Sequence, residues 1–319
     1  MRTFLFVFFI SIALVSFATF AYYSKYIFER KVVSVSPLPS FLNFMVNSQV
    51  STLDVWRPDV RSVVKSSALK PQIPAKSALV YDTTTGKTLY AKDPLRKLPM
   101  ASLTKIMTAV ISIENKRADD KYKVSKKDLV GEDSMGLTTG EVLSLDELLY
   151  GLMLNSGNDA AEVLASNYPL GRDNFILAMN SKAKSLGLLD THFTNPTGLE
   201  GDGNQYTTAY GLLVITKYAL GFEIFRNVVS TFDYHISYSR EHKEFYLENQ
   251  TNLLTSYPGV YGVKTGFTPE AGLCLVTYLN YKGHEIIGVL LGSDNRRQEM
   301  KNLLDYSLKA EGVPPPQHQ

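Results

Sequence analysis

Pro99-Met100-Ala101-Ser102-Leu103-Thr104-Lys105-Ile106-Met107 sets a hydroxyl and an amine three residues apart at the start of a predicted helix, where positions i and i+3 share a face. Beyond Ser102, Ile106, Met107, Ala109, Val110 and Ile113 recur at helical spacing and predict a buried helix. A serine hydroxyl is a weak nucleophile at neutral pH until a nearby base takes its proton, and a lysine serves only if its own pKa is lowered. Desolvation beside a second cation lowers it. The pattern alone does not choose a site, because Ser-x-x-Lys occurs four times: Ser62/Lys65, Ser67/Lys70, Ser102/Lys105 and Ser181/Lys184.

Outward from this stretch the pattern predicts an α+β fold. A domain over 77–310 opens with the β-prone runs Ala78–Asp82 and Lys87–Ala91 around Thr85-Gly86, a hairpin signal. Helices are predicted at Leu145–Leu154, Asp159–Ala165, Arg172–Leu186 and Thr207–Leu220, with a loop at Asn155-Ser156-Gly157. Strands follow at Gly262–Thr265, Leu273–Leu279 and Glu285–Leu291, then a last helix through Met300, Leu303 and Leu304. Early and late strands can share one antiparallel sheet with helices packed over and beside it. Residues 24–76 carry scattered Ser, Pro and Lys and are expected as a spacer, and 311–319, with Pro314-Pro315-Pro316, as a disordered tail. Two of the four Ser-x-x-Lys matches fall in that spacer and one on a polar helix face.

Two further short patterns follow Ser102 in chain order: Ser156-Gly157-Asn158 at a loop between helices, and Lys264-Thr265-Gly266 on a predicted strand. A second Ser-x-Asn, Ser293-Asp294-Asn295, comes after the strand motif and so falls out of order. The ordered set resembles the signature shared by penicillin-binding proteins and serine β-lactamases. Physically, Lys264 beside Lys105 would disfavour a second ammonium. The Ser156 hydroxyl would relay a proton, and the Asn158 amide would orient a carbonyl or Lys105. Gly266 would admit a close backbone approach, and the N–H groups of Ser102 and Phe267 would form an oxyanion hole.

Longer runs extend the likeness: Ala101–Thr108, Asp146–Leu152 leading into Asn155–Ala161, Phe193-Thr194-Asn195-Pro196-Thr197-Gly198-Leu199, and Gly262–Thr268. They resemble the D-alanyl-D-alanine carboxypeptidases of the low-molecular-mass penicillin-binding protein type, from about Ser77 to Leu308. The resemblance implies a β-lactamase/transpeptidase-like fold, an antiparallel sheet with flanking helices and a mostly helical subdomain. It implies removal of the terminal D-alanine from peptidoglycan stem peptides through an acyl-enzyme at Ser102. Lys105 would be the base and Ser156 the relay. Asn158, Thr265, Gly266 and Phe267 would position substrate, and Lys264 would be an electrostatic clamp. Arg296, or alternatively Arg297, would meet the substrate carboxylate. β-Lactam antibiotics are implied as covalent inhibitors. Where relatives often carry histidine and serine, this chain reads Asn204-Gln205-Tyr206-Thr207-Thr208-Ala209.

Composition narrows the alternatives. The formal net charge is +2 with signs interspersed, which gives no nucleic-acid surface. Arg2 to Lys25 brackets an uncharged apolar run, expected as a signal peptide or signal anchor over 1–23 that delivers the domain outside the cytoplasm. Membrane attachment would come from that segment if it stays uncleaved. One cysteine, Cys274, excludes an internal disulfide and is expected as a core strand residue. The five histidines show no zinc-protease spacing, so neither a metal nor another cofactor is expected in the reaction. There is no Gly-x-Ser-x-Gly elbow. Three rivals remain: an endopeptidase acting on cross-links, a β-lactamase with Glu200 as deacylating group, and an inactive wall-binding scaffold.

Overall fold

The computed structural model describes residues 56–251 and 253–318. The chain starts with a hairpin, β1 (Ser77–Asp82) and β2 (Lys87–Lys92), then a 3₁₀ turn at Ala101–Thr104 that runs into α1 (Lys105–Glu114). After the short strands β3 (Tyr122–Lys123) and β4 (Val142–Leu143) come α2 (Leu145–Met153), α3 (Asn158–Ser166), α4 (Arg172–Ser185), α5 (Ala209–Ala219) and α6 (Glu223–Ser230). A second small hairpin, β5 (Asp233–Ile236) and β6 (Phe245–Glu248), and one helical turn, α7 (Leu253–Ser256), lead to β7 (Val260–Thr268), β8 (Gly272–Tyr281), β9 (His284–Ser293) and α8 (Arg296–Ala310).

The main sheet has the order β2-β1-β9-β8-β7, every pair antiparallel, so the first hairpin closes against the last strand, as expected of early and late strands sharing one sheet. Successive residues of a strand face opposite sides, and here both sides are covered. Leu79 and Tyr81 of β1, with Ile287, Val289 and Leu291 of β9, join the core shared with α1, α2, α3 and α5. Ala78 and Val80, with Ile286 and Leu290, face Met300, Leu303 and Leu304 of α8 instead. β7 is left as an open edge.

Helix α1 lies at the centre of the helical layer. All residues from Lys105 to Ser112 are buried, and it packs against α2, α3, α4 and α5. Such all-round burial is expected of a helix apolar on every side. That it also buries a lysine is the anomaly from which the site follows. Helix α2 is fixed at its start by a capping box, Ser144 N–H donating to Glu147 at 2.8 Å and Glu147 N–H to the Ser144 hydroxyl at 3.3 Å.

Part of the expected spacer packs on the domain. Trp56 stands edge-on to Tyr81 with ring centroids 5.3 Å apart, Val64 N–H donates to the Thr88 carbonyl at 2.9 Å, and Ile73 and Ala75 are buried. These apolar side chains cover the outer hairpin, which would otherwise face water. The expected tail also has contacts: His318 stacks on Tyr257 and meets Asp305 at 3.0 Å. The expected signal segment 1–23, and the spacer as far as 55, lie outside the described residues. Among the described residues no helix is long and apolar enough to cross a membrane.

The β9–α8 junction depends on one buried carboxylate. Glu299 accepts from the N–H groups of Ala75 (2.9 Å), Asp294 (3.1 Å) and Asn295 (3.0 Å) and from the Ser293 hydroxyl. Buried donors left without partners cost about 1–3 kcal/mol each. Glu299→Ala is therefore expected to lower stability by about 2–4 kcal/mol in urea unfolding, and an unchanged midpoint would refute this role.

Candidate active site

The 3₁₀ turn delivers Ser102 to the open edge of the sheet. Ala101 before it has φ +49, a left-handed conformation that costs energy for a residue with a Cβ and is common at functional sites. Ser102 is half-buried, and one turn further Lys105 is fully buried. The Lys105 Nζ stands 3.1 Å from Ser102 Oγ, 2.7 Å from Asn158 Oδ1 and 2.8 Å from the Thr197 carbonyl oxygen.

The nature of these three partners decides what Lys105 can do. A carbonyl and an amide oxygen only accept, so they take two N–H groups from the amine. A neutral amine then has one lone pair left, and the remaining partner is the Ser102 hydroxyl, which can donate. Burial pushes the Lys105 pKa well below its ordinary range, and the charge of Lys264 pushes it further the same way. Geometry and electrostatics agree on Lys105 as an acceptor for the Ser102 proton.

Lys264 comes from β7 and is itself buried. Burial lowers its pKa to about 7, with a smaller contribution from Arg296 in the same direction and an opposing one from Asp133. Its neighbour Thr265 is buried, and Phe267 is 61% exposed at the rim. Between them, Gly266 passes so close to the serine turn that a Cβ there would sit 3.0 Å from Ser102 N and 3.1 Å from the Ala101 Cβ. The small residue is what lets the strand edge and the turn share one cleft.

The third element is the loop before α3. Ser156 has φ +58, and its hydroxyl is buried without a hydrogen-bond partner. Two residues on, Asn158 begins α3, its N–H donating to the Asp133 carbonyl at 2.8 Å. The buried Asp159 carboxylate gathers the facing loop, accepting from the N–H groups of Met135 (3.0 Å), Gly136 (3.1 Å) and Leu137 (3.0 Å) and from the Ser134 hydroxyl. That clamp fixes the entrance of α3 and with it Asn158.

Arg296 and Arg297 separate in the structure. Arg296 turns inward, donating from Nη1 to the Gly266 carbonyl at 2.7 Å, while Arg297 is exposed. Ser102, Lys105, Asn158, Lys264, Gly266 and Arg296 are thus linked by short contacts or charge, with Ser156, Thr265 and Phe267 adjacent in the same segments. Cys274 is buried in β8, and burial raises its thiol pKa to about 11, so it is an inert core residue.

Sequence patterns passed over the Thr197 carbonyl and the turn that aims it. Asn195 Oδ1 accepts from Thr197 N–H (3.1 Å), the Thr197 hydroxyl (3.0 Å) and Gly198 N–H (2.7 Å). Gly198 has φ +90, and a Cβ on it would lie 2.0 Å from the Ala101 carbonyl oxygen, so only glycine fits. Gln205 accepts from Thr194 N–H at 3.0 Å and donates to the Thr104 hydroxyl at 3.2 Å. It ties this turn to the serine turn. The available signal was an Asn-Pro-Thr-Gly turn, but a backbone acceptor leaves no side-chain signature.

Comparison with known proteins gives a consistent picture. A family model described as D-alanyl-D-alanine carboxypeptidase matches residues 64–295. The chain is 36% identical over 247 residues to the D-alanyl-D-alanine carboxypeptidase DacF of Bacillus subtilis, covering 73% of this chain and 62% of that protein. It is 35% identical to a D-alanyl-D-alanine endopeptidase of Escherichia coli, covering 70% of this chain and 73% of the relative. The crystal structure of a Streptomyces DD-transpeptidase superposes with a TM-score of 0.71 at 34% identity, over 76% of this chain and 99% of that one.

Proposed function

The chain belongs to the D-alanyl-D-alanine carboxypeptidase family of serine peptidases, and from that premise we propose that it trims the terminal D-alanine from peptidoglycan stem pentapeptides through an acyl-enzyme at Ser102. The observation that carries the proposal is the buried Lys105 amine, with two N–H groups held by Asn158 and Thr197 and its third partner the Ser102 hydroxyl. Lys105 takes the Ser102 proton as Oγ attacks the carbonyl carbon of the D-Ala-D-Ala bond. The N–H groups of Ser102 and Phe267 stabilise the resulting oxyanion, a type of contact worth on the order of 3 kcal/mol. The C–N bond then breaks, and the leaving amine receives its proton from Lys105 by way of the Ser156 hydroxyl. Water attacks the ester with Lys105 again accepting a proton, which restores Ser102. Lys264, Thr265 and Arg296 hold the terminal carboxylate, and Asn158 holds both Lys105 and the substrate amide. No metal or cofactor takes part.

β-Lactams enter the same scheme as covalent inhibitors of Ser102. The N-terminal apolar run supports an extracytoplasmic location, with the domain released or held at the membrane according to whether that segment is cleaved. The E. coli relative is named an endopeptidase, so hydrolysis of cross-links by the same residues is the second reading. A β-lactamase is disfavoured by Glu200: its carboxylate is exposed, accepts from Glu270 N–H at 2.9 Å, and has its pKa lowered by the Thr268 hydroxyl. A carboxylate so stabilised is a poor base for deacylation. The inactive-scaffold reading leaves the buried lysine pair without a purpose.

Incubating the protein with a stem pentapeptide and with a cross-linked dimer is expected to release D-alanine from the pentapeptide. Ser102→Ala should lower that rate on the order of a thousandfold or more. Cleavage of the dimer alone would favour the endopeptidase, and activity surviving Ser102→Ala would sink the mechanism. The pH profile of kcat/KM reports groups of the free enzyme. It should rise on the acid side as Lys105 loses its proton, and fall above about 7 as Lys264 loses its charge. Lys264→Arg, which stays charged, should remove the falling limb and keep the rising one; an unmoved falling limb would exclude Lys264 as its source.

A further inference from the structure

Away from the cleft, three segments distant in sequence bring an imidazole and two carboxylates together. Asp82 ends β1, His284 begins β9, and Glu311 follows α8. One ligand atom from each lies within 4.8 Å of the other two. Register places this cluster far from the reaction. Asp82 pairs with Ile286, Ile286 with Leu279, and Leu279 with Val260, whereas the cleft lies at Gly266 further along β7. That separation is roughly 20 Å along the strand at about 3.3 Å per residue.

Each side chain is held as a ligand would be. Asp82 is fully buried, and its Oδ1 accepts from the N–H groups of Thr84 (2.8 Å) and Thr85 (3.3 Å), which leaves Oδ2 turned to His284 Nδ1 at 2.6 Å. The Glu311 side chain is 5% exposed. Its Oε2 accepts from Lys87 at 3.0 Å, but its Oε1 is buried without any hydrogen-bond partner among the described residues. A buried carboxylate oxygen with no donor is costly, and here it belongs to a group that lies close to a second carboxylate. As two simple ion pairs, Asp82 with His284 and Glu311 with Lys87, the cluster leaves that oxygen unexplained. A cation among the three satisfies it.

The geometry points to a structural binding site for a first-row divalent cation, zinc by preference, formed by one ligand atom each from Asp82, His284 and Glu311. One nitrogen and two carboxylate oxygens suit zinc, with water completing four ligands. Tetrahedral bonds of about 2.0–2.1 Å set ligand atoms about 3.3 Å apart. Reaching that arrangement opens the Asp82–His284 contact slightly and draws Glu311 inward by no more than about 1.5 Å. Binding would exchange the Asp82–His284 contact for bonds from both side chains to the ion. The ion would clip the first hairpin, the β8–β9 turn and the end of α8 together, and so stabilise the fold without entering the reaction.

The test uses the whole protein, dialysed against zinc chloride and then zinc-free buffer, with bound metal measured by elemental analysis. About one zinc per chain is expected for the native protein, and below about a tenth of that for His284→Gln and for Glu311→Gln. The native thermal midpoint should rise with zinc and return with a chelator, while those of the variants stay put and D-alanine release is unchanged in all three. Equal zinc in native protein and variants, or none in the native protein, overturns the site. Should the variants fail to fold, zinc-edge anomalous scattering from native crystals decides: a peak among Asp82, His284 and Glu311 supports the site, and its absence there overturns it.

Discussion

A primary amine buried beside a second buried amine is the constraint on which this structure turns. Transferring an ammonium from water into a protein costs several kcal/mol even after relaxation, and two such groups in one cavity raise the cost further. The fold meets it by lowering the Lys105 pKa and giving its N–H groups to fixed oxygens. Those oxygens come from two remote places, the start of α3 and the turn before Gly198, while the second amine comes from β7. Helix α1 must therefore sit at the centre, touching every layer at once. An amine so held can serve as a base, and its third partner is the Ser102 hydroxyl.

Much of the surrounding polar structure supports that arrangement at one remove. Asp159 clamps the loop beside Asn158, Asn195 shapes the turn that aims the Thr197 carbonyl, and Gln205 ties the turn to the serine. Glu299 fixes the junction from which Arg296 reaches the Gly266 carbonyl. These are buried, multiply bonded groups, and each converts local folding energy into placement of an atom in the cleft. The left-handed backbone at Ala101 and Ser156 is the local strain that this network holds in place.

The parts of the site legible in the sequence were those carried by side chains at short spacing: Ser102 with Lys105, Ser156 with Asn158, and Lys264 with Gly266. Chain order and the position of the other three Ser-x-x-Lys pairs, two in the expected spacer and one on a polar helix face, then separated Ser102 and Lys105 from them. The five-stranded sheet was legible for a similar reason, since β1, β8 and β9 are strongly apolar runs bounded by turn residues. What stayed hidden depended on long-range contact or on backbone. The Thr197 carbonyl belongs to a residue of any type, the β5–β6 hairpin has short strands with polar outer faces, and residues 56–76 pack through a few scattered apolar side chains. Which of Arg296 and Arg297 turns inward depends on the helix phase at the start of α8. Asp82, His284 and Glu311 fall in three separate parts of the chain and form no motif at all.

The protonation state of Lys105 is the claim on which the rest stands, and it can be observed directly. Heteronuclear NMR of the lysine Nζ and ε-methylene signals, with Lys105 assigned through a Lys105→Arg variant, follows its titration without substrate. The account predicts a Lys105 amine that is already neutral at neutral pH and acquires its proton only on acidification, far below the value of about 10.4 usual for a free lysine side chain. A Lys105 signal that stays charged through neutral pH and titrates with the surface lysines would contradict it.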